Sequence, residues 1–419
     1  MSITMFAVGI LLTTFGLSTA TAQEIVLREV WEANGFGENH DLIPSPDNGF
    51  LVGGWMTDTS LGQSYLLGYD ADGTERRRTL YENFILWKVI ERSGSGHILV
   101  GRYSGFVDPA RPLVVIGMDE NGEVDWKRSL PDTLGQTRNP FALIRTRDGR
   151  YLLIAEIRTN DFRLELLYLD DDGQTVSKGM VSYGGEQPMM KDVIEMEDGS
   201  LQLISNYPMN SGDTSYYSPL IKKVDEQGTM LGFIRPLEGK RADSSVTFQF
   251  MQRTIDGGYL AVGNLYLISP ESGRLEPDLE RGDFHAVKFD STMTIEWERS
   301  YDFGGLGDRV KSFTQISDSV YLIAGVSSIE AVPIDGGTLQ LLALDLSGKT
   351  VWGHGFDEWC ARVSRARIAA DGDIIVTGTI GCLNTQIDAA IWRIVPPSGT
   401  VGVEMGIPTI QMLDLAESW

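Results

Sequence analysis

The feature that most constrains this chain is a phrase it repeats. Residues 341–378, LLALDLSGKTVWGHGFDEWCARVSRARIAADGDIIVTG, read as strand, tight turn, strand, loop, strand, tight turn and strand. The second half of that phrase has six counterparts, HDLIPSPDNGFLVGG, LWKVIERSGSGHILVG, FALIRTRDGRYLLIA, DVIEMEDGSLQLIS, FQFMQRTIDGGYLAVG and SFTQISDSVYLIAG. The turn positions are Gly49, Gly96, Gly149, Gly199, Gly258, Ser319 and Gly372. Asp-Gly and Asn-Gly pairs accept positive φ at a hairpin centre, so each unit reads as a β-hairpin.

Between these units falls a second hairpin: LLGYDADGTERRR, VIGMDENGEVDWKRS, LLYLDDDGQTVSKG, IKKVDEQGTMLGF, AVKFDSTMTIEWERS, LALDLSGKTVWGH and IWRIVPPSGTVGV. Glycine holds the turn at Gly73, Gly122, Gly173, Gly228, Gly348 and Gly399, and Met293 stands in the fifth place. The alternation makes four strands per repeat with a period of about 50 residues, the repeat of a propeller blade. The expected fold class is therefore all-β: one seven-bladed β-propeller of four-stranded antiparallel blades over residues 23–406, with a tail at 407–419. The strand 25–31 matches a fourth-strand position and is expected to complete the seventh blade, with 401–405 competing for the same edge.

The Asp-x-x-Gly-x-x-x-Trp turns ending at Trp126 and Trp352, the related turn ending at Trp297, and the Asp-Gly-Gly-Tyr phrase 256–259 carry a family likeness. On these residues the chain resembles the secreted bacterial β-propellers of the WD40-like, PQQ-like and delta-60 repeat kind. Arg77, Ser177 and Gly232 stand where other repeats have Trp. The recurrent aromatic is expected to pack between neighbouring blades. Quinoprotein dehydrogenases of the PQQ-like kind have eight blades and, in many members, vicinal cysteines. Seven repeats and two distant cysteines remove most of that support, and no cofactor is expected.

The N-terminus, MSITMFAVGILLTTFGLSTATAQE, has a short apolar run followed by Ala20-Thr21-Ala22, the form of a secretory signal peptide over residues 1–22. A secreted or periplasmic protein with no membrane span is expected, acting as a monomer. Export permits a disulfide, and Cys360 and Cys382 lie symmetrically about the 370–373 turn, so an antiparallel hairpin sets them opposite each other. A formal net charge of −23 disfavours nucleic acid as a partner.

No local catalytic or metal motif is present. The acidic turns at 70–73 and 170–173 lack the alternating ligands and distal Glu of a calcium loop, and read as hairpin turns. His40, His97, His285 and His354 have no partner His or Cys at metal-ligand spacing, so neither a metal nor a catalytic residue is assigned.

Loop lengths place recognition. The first-to-second and third-to-fourth turns are tight, whereas the loops on the opposite face are long, above all 264–283, NLYLISPESGRLEPDLERGD. Long loops on a rigid scaffold commonly carry binding. Tyr266, Arg274 and Arg281 are the candidate contacts there, with Tyr103, Tyr216, Tyr217 and Trp359 adding aromatic surface. The first functional reading is an exported, non-catalytic scaffold binding a protein, peptide or glycan on that face. The alternative is a polysaccharide lyase, hydrolase or oxidoreductase whose residues come from several blades. Perturbed carboxylates, Arg and Tyr converging on the central funnel would favour the enzyme.

Overall fold

The computed structural model describes residues 25–31, 36–45, 49–57, 62–94, 96–103, 112–130, 138–157, 161–184, 187–211, 214–237, 244–267, 282–304, 307–328, 337–381, 388–397 and 411–413. The described residues are strands and their turns, with no helix. Blade one spans 36–82, blade two 84–130, blade three 138–182, blade four 189–234 and blade five 244–302. Blade six begins at 307 and runs without a break into blade seven, because the strand Thr350–Ile368 is at once the outermost strand of one and the innermost of the other. Six hydrogen-bonded sheets therefore make seven blades.

Burial explains the composition of the strands. The third strand of blade two, LVVIGM, is buried at every residue, whereas the outermost strand VDWKRSL alternates exposed and half-buried positions. A middle strand is covered on both faces by the adjacent blades and reads as a continuous apolar run. An outer strand meets solvent, and its sequence alternates. The core is accordingly a set of layers between blades. Leu66 and Tyr81 of blade one pack with Leu86 and Leu99 of blade two, and Leu42, Phe50 and Tyr65 of blade one pack with Ile375 and Ile391 of blade seven.

The ring is closed by the N-terminal strand. Ile25–Trp31 lies antiparallel to Asp388–Ile394, with Arg28 opposite Trp392 and Trp31 opposite Ala389, as the fourth strand of blade seven. The competing segment 401–405 and the turn at Gly399 lie outside the described residues. Gln411–Leu413 pairs with the outer strand of blade five.

Hairpin turns follow the Asp-x-x-Gly pattern. Gly73, Gly122, Gly173, Gly228 and Gly348 all have positive φ, and Met293 adopts the same conformation at +67°. In the turns after the first the Asp carboxylate accepts the N–H four residues on, as Asp170 does from Gln174 at 2.8 Å and Asp345 from Lys349 at 2.9 Å, whereas in the first Asp72 accepts Thr74 N–H at 3.0 Å. The acidic turns thus spend their carboxylates on closing hairpins. In the first kind of hairpin, the left-handed residue of blade five is Gly257 and not Gly258, because Gly257 N–H closes onto Thr254 O as Gly149 closes onto Thr146.

The expected tryptophan contacts are present. Trp126 of blade two donates to Asp171 O of blade three at 3.1 Å, and Trp297 of blade five donates to Leu346 O of blade six at 2.9 Å. A side chain at Gly173 would collide with the Trp126 ring, so the turn glycine serves the close approach as well as the left-handed backbone. Two of the three departures keep the contact by other means, while around Gly232 the outer strand of blade four is exposed. Arg77 donates to Gly122 O of blade two, and in blade three Met180 N–H reaches Gln227 O at 3.0 Å because Gly179 leaves the backbone bare.

Polar stitches reinforce several of the interfaces. Asn206 of blade four grips the inner strand of blade five by donating to Phe248 O at 2.9 Å and accepting Phe248 N–H at 2.8 Å. Asn264 repeats this on blade six through Asp308 O and Val310 N–H, and Ser64 does so on blade two through Phe84 O and Leu86 N–H. Asn206→Ala leaves two buried backbone groups without partners and is expected to cost ~2–4 kcal/mol, measured by urea unfolding. Deleting residues 23–32 opens the ring and is expected to lower the unfolding midpoint sharply; an unchanged midpoint would contradict closure by the N-terminal strand.

Candidate functional site

Beside a second irregularity in blade six between Gln315 and Ser317, each of the seven inner strands carries one mid-strand β-bulge, and these bulges are in register around the axis. They fall between Asn39 and Asp41, Leu86 and Lys88, Pro140 and Ala142, Met190 and Asp192, Phe248 and Phe250, Val310 and Ser312, and Val363 and Arg365. An extra residue bends the strand and re-aims the side chain after it. The seven residues at this height are Asp41, Lys88, Ala142, Asp192, Phe250, Ser312 and Arg365.

Three of them stitch neighbouring blades. Asp41 accepts Val89 N–H of blade two at 3.1 Å, Asp192 accepts Met251 N–H of blade five at 2.9 Å, and Ser312 accepts Ala366 N–H of blade seven at 2.9 Å. The donor is in each case the residue following the next blade's own post-bulge position. At the closing interface Arg365 lies 3.6 Å from Asp41.

Below this ring is a cavity of about 470 Å³. Its walls are the inner strands from the bulges to the first-to-second turns, so it lies on the tight-turn side of the ring. Lys88, Arg145, Lys191, Arg365 and Arg367 bring positive charge, Asp41, Glu91 and Asp192 bring negative charge, and Phe141, Phe250 and Phe313 supply apolar wall. Lys311, on the bulge of blade six, is close enough to add to the repulsion that Lys191 feels.

The charges are strongly coupled. Burial pushes the Asp192 carboxyl up to about 6 despite the N–H groups of Met251 and Val193 and the nearby Arg365 and Lys88. Burial, reinforced by Arg365, brings Lys88 down to about 8. Asp41 is also opposed by burial, yet Lys88, Arg365 and Arg367 hold it below the usual carboxylate range. Burial and the adjacent Arg365 lower Arg367. The site is thus a cationic pocket with one carboxyl and one amine poised near neutrality.

The residues expected to bind are distributed differently. Tyr217 and Tyr266 both neighbour Ser245 at the junction of blades four and five, where Tyr217 N–H donates to Ser245 and Ser245 pairs with Tyr266 across the strands. Tyr266 is buried against Gly282, and Tyr216 and Tyr217 are half-buried. Tyr103 is on blade two, its ring on Phe84 and its hydroxyl accepting from Lys127. Arg274, Arg281 and the side chain of Trp359 lie outside the described residues, as do Cys382 and segments 58–61, 104–111 and 329–336 of the long loops. His285 is a packed histidine, with Nδ1 2.8 Å from Ser300 Oγ and Nε2 3.0 Å from Glu298. The channel residues escape sequence reading because they share a height only once the ring has closed; the legible trace is one charged residue midway along several inner strands.

No protein-family model and no curated protein matches the chain. Among solved structures it is similar to Drosophila Semaphorin 1b, extracellular domains 1-2, at 9% identity and TM-score 0.50, covering 89% of this chain and 87% of that one. It is also similar to the β-propeller domain of the trilobed protease from Pyrococcus furiosus, at 11% identity and TM-score 0.47, covering 88% and 99%. The Dos1 propeller is a third, at 10% identity and TM-score 0.47, covering 90% and 97%. These likenesses concern the fold alone.

The Asp192 carboxyl binds its proton more tightly in the folded chain than in the unfolded one, where it has its ordinary value near 3.8. Ionisation therefore opposes folding progressively from about pH 4 to pH 6, and the penalty is constant above that. In Asp192→Asn the stability relative to wild type is expected to rise by ~1–3 kcal/mol between pH 4 and pH 7, read from urea midpoints at each pH. A difference that does not change with pH contradicts this.

Proposed function

We propose that the protein is an exported, non-catalytic binding propeller of the secreted bacterial kind, and that its central channel holds an anionic group of the ligand. The observation that carries this is the gathering of Lys88, Lys191, Arg365 and Arg367 around one cavity in a chain of net charge −23. A cationic recess within an acidic molecule focuses the field on a single place. Guanidinium groups suit the planar, two-oxygen geometry of a carboxylate. The phenylalanines would cover the ligand's apolar parts. An acidic peptide or an acidic glycan, acting on a monomer, has this chemistry. The long-loop face is a second surface on the far side of the bulge ring, and 264–283 is its main element.

The enzymatic alternative is favoured by one observation, since Asp192 and Lys88 are both shifted toward neutrality, the range useful to a general acid or base. Against it, both Asp192 oxygens accept backbone N–H groups, and no hydroxyl, thiol or imidazole is among the described cavity residues.

Titration calorimetry with sulfate and galacturonate, which keep their charge between pH 5 and 9, tests the channel. Asp192 is neutral below about pH 6 and Lys88 loses its charge above about pH 8. Affinity is expected to fall in two steps as pH rises through these values, each about tenfold, and to be lost in Arg367→Gln. Binding insensitive to Arg367→Gln but abolished by shortening 264–283 would move the site to the long-loop face.

Export and the cysteine pairing belong to the same proposal. Gly381 N–H donates to Cys360 O at 3.3 Å and Ala361 pairs with Ile380, so Cys360 faces across the hairpin the residue that precedes Cys382 in sequence. Intact mass of the secreted protein is expected to show a chain beginning at Gln23 and about 2 Da lighter than after reduction, the two thiol hydrogens. Two free thiols would refute the bridge.

A further inference from the structure

On the long-loop side, where blades five and six meet, three carboxylates converge. Asp283 opens the third strand of blade five, Asp302 ends its fourth, and Asp308 opens the inner strand of blade six. One carboxylate oxygen from each lies within 4.8 Å of the other two. Two oxygens that each stand about 2.4 Å from a calcium ion can be at most about 4.8 Å apart, so every pair here is within the span of one ion.

Asp308 is the informative member. It is 1% exposed, and its Oδ2 accepts Phe303 N–H at 2.8 Å. Its Oδ1 is buried with no hydrogen bond of normal geometry among the described residues, although the Ser327 hydroxyl stands near enough to steady the carboxylate. A buried carboxylate oxygen left without a donor is costly, and the two carboxylates beside it make it more so. Burial followed by the charges of Asp302 and Asp283 pushes Asp308 up to about 7, and burial with Asp302 pushes Asp283 up to about 6.

The group is held in place from outside. Asn264 Nδ2 donates to Asp308 O at 2.8 Å and lies 3.3 Å from Asp283 O, tying together the backbones of two of the three acids. Gly304 N–H donates to Asp302 Oδ1 at 2.6 Å, fixing the third. These bonds organise the cluster while adding no positive charge to it.

We propose that Asp283, Asp302 and Asp308 bind a divalent calcium ion that ties the base of the 264–283 insertion to blade six. An all-oxygen, carboxylate-rich set suits a hard cation and not zinc or copper. The ion removes the mutual repulsion of the acids and gives the orphaned oxygen a partner. Because the ligands come from one end of the insertion, from the end of the fourth strand and from the next blade, binding stiffens the long-loop face at that junction. The site is independent of the channel and stands or falls whether or not an anion binds there.

Calcium chloride titrated calorimetrically into the EDTA-treated full chain is expected to give one site with Kd at or below about 1 mM, the range of extracellular calcium modules. Asp308→Asn and Asp283→Asn should each weaken it at least tenfold. Asp308→Asn should also raise the calcium-free melting temperature, because it removes a buried repelled charge, and abolish the increase that 5 mM calcium gives wild type. Should Asp308→Asn not fold, Asp302→Asn, on the more exposed side, reads the same loss. Absence of binding at 10 mM calcium, or binding unaltered in both Asp283→Asn and Asp302→Asn, overturns the proposal.

Discussion

Covering both faces of every blade is the constraint on which the rest of the structure depends. A four-stranded antiparallel sheet with apolar residues on both faces cannot stand alone in water, so each blade is stable only between two others. Its middle strands are buried at nearly every residue, as in Tyr151–Ile157. Closing the ring supplies the last two faces at once. The strand Ile25–Trp31 fastens it, because it is hydrogen-bonded to Asp388–Ile394 from the opposite end of the chain.

Apolar layers are not directional, and the polar contacts between blades fix their alignment. Asn206, Asn264 and Ser64 each clamp a backbone segment of the next inner strand. Asp41, Asp192 and Ser312 do so one level lower, from the post-bulge position. Trp126, Trp297 and Arg77 fasten the outer turns of the following blade. Unlike side chains thus perform one geometric task, which is why the repeats tolerate so much sequence divergence.

The bulge ring links this scaffold to the channel. A bulge bends the inner strand and re-aims the side chain after it, and two of the aligning residues, Asp41 and Asp192, then also line the cavity. Asp192 is held by two backbone N–H groups and simultaneously faces Lys88 and Arg365 across the channel. Blade alignment and the charge of the channel are therefore coupled at this height, so substitutions here are expected to shift stability and pH response together. The acidic trio at Asp283, Asp302 and Asp308 is separate from this network and joins only two blades.

Strand number, turn positions and blade count were legible in the chain because they rest on local chemistry. Asp and Gly at fixed offsets close a hairpin wherever they stand, and spacing alone marks Met293 as a glycine substitute, in agreement with its φ of +67°. The tryptophan contacts followed from the same register. The choice of Gly257 over Gly258 was not, since either glycine accepts the left-handed turn and only the hydrogen bond to Thr254 decides between them. Nor were the channel, whose members are separated by tens to hundreds of residues, and the acidic cluster, which needs two blades docked together. Asp41, Lys88, Asp192 and Arg365 belong to four blades, and their shared height depends on bulges with no marker in the sequence. Local turn chemistry settled how the chain folds into blades, and only closure of the ring decided which charges face one another.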